Sequence, residues 1–238
     1  MNILMESPFA RTASLLGEEA IQLLQRKTVA VFGLGGVGGS CAEALARSGI
    51  GRLILVDHDI IQPSNLNRQV VALHSTLGQP KAQVMAARVR DINPAIQADP
   101  YLIFYHQETA DSIPLETCDA VVDCVDSLEA KLLLARQAQE MGFILLSAMG
   151  AGNRQDPMGF KFADIYETSV CPLARRMRKA CREQGIPSLR VLYSTEPPLS
   201  TKTDQGMLHP SIGSLPYVPP AAGMALAGET VRLLLLKP

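Results

Sequence analysis

The chain has 238 residues, of which 47% are hydrophobic and 19% charged, with a net charge of −1. That supplies apolar material for one domain with a sizeable core, and it confines any nucleic-acid contact to a local patch rather than the whole surface. Five cysteines without a C-x-x-C pair exclude a disulfide framework and a four-cysteine zinc site, and no apolar run approaches the ~18 residues of a membrane span. The N-terminus has no basic flank followed by an apolar stretch, so no signal peptide is expected and the cytoplasm is the expected compartment.

The first eleven residues read as irregular, and residues 14–26 carry helical spacing through Leu15, Ile21 and Leu24. Arg11, in the arm before this helix, reads on its own as a solvated charge. Residues 29–32 form a short apolar run of strand formers. Gly33, Gly35 and Gly38 then spell G-x-G-x-x-G, residues 38–47 show a helical pattern, and 53–56 is a second buried-type strand that ends at Asp57. Strand, glycine turn, helix, strand and acid follow one another as a Rossmann βαβ unit requires. The glycines serve a tight turn, a close approach of phosphate to backbone, and packing of helix on strand. The helix N-terminus offers free N–H groups to an anion, and Asp57 stands where an acid accepts from ribose hydroxyls.

The next segment is polar and rich in turn formers, and carries Asp59, Asn65, Asn67 and Arg68. A helix is expected from about residue 80 to 92, with Pro80 in its first turn and Asn93-Pro94 as its stop. Lys81 at its start opposes the helix dipole, so it is either a plain exposed lysine or one that faces an anion. Residues 96–105 read as a third strand and 120–124 as a fourth. Asp123 and Asp126 then fall at the carboxyl end of a parallel strand, where open α/β sheets bind ligands. Ser127 suits the cap of a helix over 128–141, Gly142 its end, and 143–146 a fifth strand.

Beyond Met149 the texture changes. A glycine-rich loop leads to short strands at 160–165 and 190–193, expected to lie antiparallel to each other. Between them a helix begins with Pro172 and stops before Gly185, and Arg175, Arg176, Arg178, Lys179 and Arg182 give it a basic face. Residues 197–216 read as a mobile loop, and 221–236 as a final apolar helix packed on the sheet. The expected fold is therefore α/β: a doubly wound, mostly parallel Rossmann-like sheet with helices on both faces and a small C-terminal antiparallel extension. One domain spans 1–238, with a nucleotide-binding core at 1–148, a substrate-side extension and loop at 149–218, and a packing helix at 219–238.

The chemistry turns on what a nucleoside triphosphate needs and a nicotinamide does not. Its phosphates carry up to about four charges, which one helix dipole cannot balance, so cations and a metal are required. Arg68 and Lys81 supply two clamps, and Asp126 a magnesium ligand. His58, His74, His106 and His209 lie outside any hydride-transfer motif.

The segments GLGGVG, LVDHDIIQPSNLNRQ, QPKAQVMAARVRDINP and VVDCVDS resemble the ThiF/MoeB-like and ubiquitin-activating-type adenylating enzymes. Within that family, ARSGIG, NLNRQ, SAMGAGNRQDP, ADIYETSVCPLARRMR and VLYSTEPP resemble the tRNA threonylcarbamoyladenosine dehydratases. The resemblance runs from about Phe9 to the final helix. It implies that Gly33, Gly35, Gly36 and Gly38 form the phosphate loop, and that Asp57 and Asp59 lie in the nucleotide site. It also implies that Asn65 and Arg68 position the triphosphate, that Lys81 holds the phosphates, and that Asp126 binds magnesium. Arg11 matches an arginine that reaches the partner's γ-phosphate across a homodimer, which replaces its reading as a solvated charge. ATP and magnesium are the implied cofactors, with room for a monovalent cation; a cysteine-desulfurase/sulfur-acceptor system is an implied partner. The paired zinc motifs of many relatives are absent, and the chain is too short for the extra domains of ubiquitin-activating enzymes.

The implied reaction is ATP-dependent dehydration of threonylcarbamoyladenosine in tRNA. The threonyl carboxylate is adenylated, and the neighbouring carbamoyl group closes a ring. The alternative is adenylation of a ubiquitin-like sulfur carrier's C-terminus. For tRNA docking the candidates are the basic helix (Arg175, Arg176, Arg178, Lys179, Arg182) with Arg154 and Lys161; the competing reading is a solvated face. Cys171, just before a helix start, is either a nucleophile or a small structural residue.

Overall fold

The computed structural model describes residues 7–200 and 212–236. One sheet of seven strands runs through the molecule in the order β3-β2-β1-β4-β5-β7-β6. The strands are β1 (Thr28–Phe32), β2 (Arg52–Val56), β3 (Gln97–Tyr101), β4 (Ala120–Asp123), β5 (Ile144–Ala148), β6 (Phe160–Asp164) and β7 (Arg190–Ser194). All neighbours pair in parallel except β6 with β7. The antiparallel pair is continuous with the main sheet, because β7 pairs with β5 through Ser147↔Val191 and Ala148↔Leu192.

Alternation along the strands divides two cores. Val29, Val31, Leu53, Leu55, Ala120 and Val122 face one layer, and Ala30, Phe32, Ile54, Val56 and Val121 the other. The first layer holds α3 (Gly36–Arg47), α4 (Lys81–Ile92) and α7 (Val218–Leu236); the second holds α5 (Leu128–Met141) and α6 (Pro172–Glu183). Ser127 caps α5, its side chain accepting from Ala130 N–H at 3.3 Å, and Gly142 closes it with φ 80°.

Three elements differ from expectation. The helix expected at 14–26 is two short ones, α1 (Ala10–Leu16) and α2 (Glu18–Leu24), broken at Gly17, whose φ of 89° no helix tolerates. The third strand stops at Tyr101 rather than 105. Its partner β2 ends at Val56, opposite Tyr101, so the residues beyond have no ladder to join. Pro80 is the extended N-cap of α4 rather than part of its first turn. Of the expected mobile loop, 201–211 lies outside the described residues. No described helix is long and apolar enough to cross a membrane.

Candidate functional site

The strand order reverses between β1 and β4, and a crevice forms above that switch point. It holds a cavity of about 310 Å³ lined by Gly33, Gly35, Asp57, Asp59, Asn65, Arg68, Lys81 and Asp126, among others. Sequence positions from 33 to 126 thus meet in one place.

The glycine turn has a steric cause. Gly33 has φ 81°, and a Cβ there would stand 2.7 Å from the Cys124 carbonyl oxygen. A Cβ on Gly38 would stand 1.8 Å from the Gly33 oxygen, so any side chain would drive α3 off β1. Gly35, which lines the crevice, is the N-cap of α3 with no side-chain cap, so no capping side chain occupies the first N–H groups of the helix. Gly36 faces a neighbouring cleft and packs against Pro219 of α7.

Asp57 is 8% exposed and fixes the turn. One carboxylate oxygen accepts from Leu34 N–H at 2.6 Å, the other from Asp59 N–H at 2.8 Å. Lys81 is not a plain exposed lysine: it is 5% exposed and donates to Asp59 at 2.7 Å. The anion near the start of α4 is therefore, in part, Asp59. Arg68 leans on the Ser64 carbonyl and on Asn67 Oδ1, both at 2.9 Å. Asn65 is buried, and its Oδ1 accepts from Gln62 N–H at 3.0 Å.

Asp126 is exposed at the crevice mouth and forms no ion pair among the described residues. A free carboxylate beside a phosphate pocket is what magnesium asks of a protein, since that ion keeps waters and takes one or two carboxylates with the phosphate oxygens. The donor set thus fits magnesium. Asp57, His58 and Asp59 also cluster, but the two carboxylates are engaged by backbone N–H groups and by Lys81.

Beneath Asp126 lies a fully buried network. Lys131 of α5 donates to both Asp123 oxygens at 3.0 and 3.1 Å and to the Ala148 carbonyl at 2.7 Å, and Ser147 Oγ donates to Asp123 at 2.5 Å. Asp123 also accepts from Val125 N–H at 3.1 Å, which holds the backbone just before Asp126.

A second cleft of about 570 Å³ shares Gly35, Arg68, Val125 and Asp126 with the first. Cys171, Arg154 and Arg176 also line it. Cys171 is buried as the N-cap of α6. Burial pushes the Cys41 and Cys124 thiols well up, and that of Cys118 to about 12.

The basic helix divides. Arg175, Arg176, Lys179 and Arg182 are exposed; Arg182 lies 5.3 Å from the Tyr166 ring centre and Lys179 pairs with Glu183. Arg178 is half-buried and donates to Thr168 O and Oγ1, both at 2.7 Å, which is a packing tie. Arg154 is not on this face: it is 3% exposed, at the wall of the second cleft. Lys161 is exposed on β6. Arg11 is exposed on α1 and is not among the described residues lining its own chain's cavity.

Sequence reasoning missed two parts of the crevice. Ile103, Phe104 and Tyr105 line the cavity as a loop, having been read as strand, and Phe104 meets His58 edge-on at 4.8 Å. Gln69 is buried at the cavity, with Oε1 unpartnered among the described residues. Its place directly after Arg68 was the only signal.

A doubly wound sheet whose switch-point crevice adds two cations and a free carboxylate to a glycine turn defines a nucleotide-binding α/β protein fitted to a polyphosphate. The chain belongs to the ThiF family, which it matches over residues 9–238. It is 38% identical to the tRNA threonylcarbamoyladenosine dehydratase of Bacillus subtilis (strain 168), over 95% of this chain and 94% of that protein. Its structure is similar to that of E. coli tRNA N6-threonylcarbamoyladenosine dehydratase, TcdA, in complex with ATP, at a TM-score of 0.88 and 30% identity, covering 97% of this chain and 94% of that one. The same protein in complex with AMP aligns at a TM-score of 0.89, with the same identity and coverage.

Proposed function

We propose that this chain is an adenylate-forming enzyme that dehydrates threonylcarbamoyladenosine in tRNA at the expense of ATP. The observation that carries the reading is the joined pair of clefts. One has the glycine turn, Arg68 and Lys81 of a triphosphate site, and the other opens beside it with Arg68 and Asp126 in common. The Bacillus subtilis relative, whose name specifies this substrate, matches 95% of this chain.

In this reading ATP lies in the switch-point cavity, its ribose at Asp57 and its phosphates between the α3 N-terminus, Asn65, Arg68 and Lys81. Magnesium, held by Asp126, supplies charge neutralisation on the phosphates. The threonyl carboxylate enters from the second cleft and attacks the α-phosphorus; pyrophosphate leaves and an acyl adenylate remains. The carbamoyl group of the same nucleoside then attacks the acyl carbon, AMP departs, and a ring has formed with net loss of water. Ring closure is intramolecular, so proximity contributes much of its rate. The protein's task is to stabilise charge on the phosphates, which Lys81 and Arg68 do from fixed positions.

Arg11 completes the phosphate site of a partner subunit in a homodimer. Leu15 and Leu16, exposed on the same short helix, suit such an interface. Arg175, Arg176, Lys179 and Arg182 form the tRNA-docking face. A monovalent cation at the site, a sulfur-acceptor partner and a cytoplasmic place of action belong to the same reading.

Pyrophosphate exchange into ATP tests it. The account expects exchange that depends on tRNA carrying threonylcarbamoyladenosine. Exchange driven instead by a carrier protein ending in Gly-Gly would favour a sulfur-carrier activating enzyme.

A further inference from the structure

Arg154 is a buried cation without an anion among the described residues. It is 3% exposed. Its Nη1 donates to the Glu196 carbonyl, and its Nε, also buried, has no partner among the described residues. The Glu196 carboxylate does not neutralise it; that group accepts instead from Gln155 N–H and Asp156 N–H, each at 3.0 Å. No described carboxylate lies within ion-pair distance of Arg154. A guanidinium has five N–H donors in a rigid fork, and a buried charge left unpaired is strongly unfavourable.

The loop holds Arg154 in this position. Asn153 has φ 57° and is clasped from two sides: its N–H donates to Gly213 O at 2.8 Å, its Oδ1 accepts from Gly213 N–H at 2.6 Å, and its carbonyl accepts from Leu199 N–H at 2.9 Å. A Cβ on Gly152 would stand 2.3 Å from the Ile212 side chain, so the loop is pinned against its neighbour. With Nη1 on a carbonyl, the edge formed by Nε and Nη2 remains, and that edge matches the two oxygens of a carboxylate. Arg154 lines the cleft that joins the triphosphate cavity at Asp126.

We propose that Arg154 is the receptor for the substrate carboxylate that is to be adenylated. The inference rests on the function proposed above and deepens it, for it assigns the acyl end of the substrate to the second cleft. Ion pairing at Arg154 neutralises the carboxylate as it nears the triphosphate, where like charges repel, and fixes which oxygen faces the α-phosphorus. When that oxygen bonds to phosphorus and the bond to pyrophosphate breaks, the carboxylate becomes the uncharged acyl end of a mixed anhydride and the pairing weakens. Arg154 therefore acts on adenylation and not on ring closure.

The test uses the full chain with a nonhydrolysable ATP analogue and two anticodon stem-loops. One carries threonylcarbamoyladenosine; the other carries the same nucleoside with its carboxylate converted to the amide. Wild type is expected to prefer the carboxylate by about 10- to 100-fold, the worth of hydrogen bonds to a charged group. R154Q is expected to lose that preference while its affinity for the ATP analogue is unchanged, and R154K, which keeps the charge but not the fork, to lose most of it. An undiminished preference in either folded variant overturns the inference. Wild-type turnover of the modified tRNA, measured alongside, separates the two claims. Its absence sinks the functional reading and this inference with it, whereas normal turnover with undiminished preference in R154Q sinks this inference alone.

Discussion

Replacing Lys131 by methionine perturbs the fold and the site at one point. Lys131 and Asp123 are both fully buried, with Nζ 3.0 Å from the nearer carboxylate oxygen. The Lys131→Met variant keeps the length of the side chain and removes four contacts: two to Asp123, one to Ser147 Oγ at 3.4 Å and one to the Ala148 carbonyl. Asp123 would retain the Ser147 hydroxyl and Val125 N–H but would be a buried charge with no counter-ion. Breaking a buried pair in this way costs about 3–5 kcal/mol, most of it the stranded charge. Urea unfolding should register a loss of that size. The double variant Asp123→Asn, Lys131→Met has no stranded charge and should recover a good part of it. A loss below about 1 kcal/mol for the single variant, or a double variant no more stable than the single, would refute the reasoning.

Gly38→Ala should abolish the gain in melting temperature that ATP gives the wild type, because the new Cβ meets the Gly33 oxygen at 1.8 Å and displaces the phosphate turn; an undiminished ATP shift would contradict this. Charge reversal at Arg176 and Lys179 should weaken tRNA binding and flatten its salt dependence, since each lost phosphate contact removes about one unit of slope; a filter-binding titration over salt decides it. Hydrogen bonding from Arg232, outweighing burial, and then Arg190 hold the Glu229 carboxyl below its usual range. A carboxyl depressed on folding adds stability above its unfolded pKa and loses it as pH falls through its folded one. The Glu229→Gln variant should therefore be less stable than wild type at neutral pH, and the gap should close in acid; a gap that widens below pH 4 would contradict the assignment.

That Gly33, Gly35, Asp57 and Asp126 would gather at one crevice was legible because local rules write it. A glycine turn between strand and helix leaves a G-x-G-x-x-G trace, and Asp57 and Asp126 stand at strand ends where hydrophobic runs stop. The ends of regular elements were less legible. Gly17 is one glycine within a helical pattern, and only its backbone angle makes it a break. The strand that stops at Tyr101 does so because its neighbour stops, which no local pattern records. That misreading hid the Ile103–Tyr105 wall of the cavity. The clearest misplacement is a charge, Arg154, while Lys81 was left open between an exposed lysine and one that faces an anion. Lys81 and Arg154 carry the same label in a sequence as any surface lysine or arginine, yet long-range packing buries both, one against Asp59 and the other at the second cleft. Burial is set by elements distant in the chain, so the sequence around Arg154 offered charge without location.

Oxygen transfer from substrate to AMP tests the central claim most directly. With both oxygens of the threonyl carboxylate labelled as oxygen-18, adenylation and ring closure carry one labelled oxygen onto phosphorus. The account predicts AMP bearing one oxygen-18 and a nucleoside lighter by one labelled water. Unlabelled AMP, or the label in inorganic phosphate with release of ADP, would contradict attack of the carboxylate on the α-phosphorus.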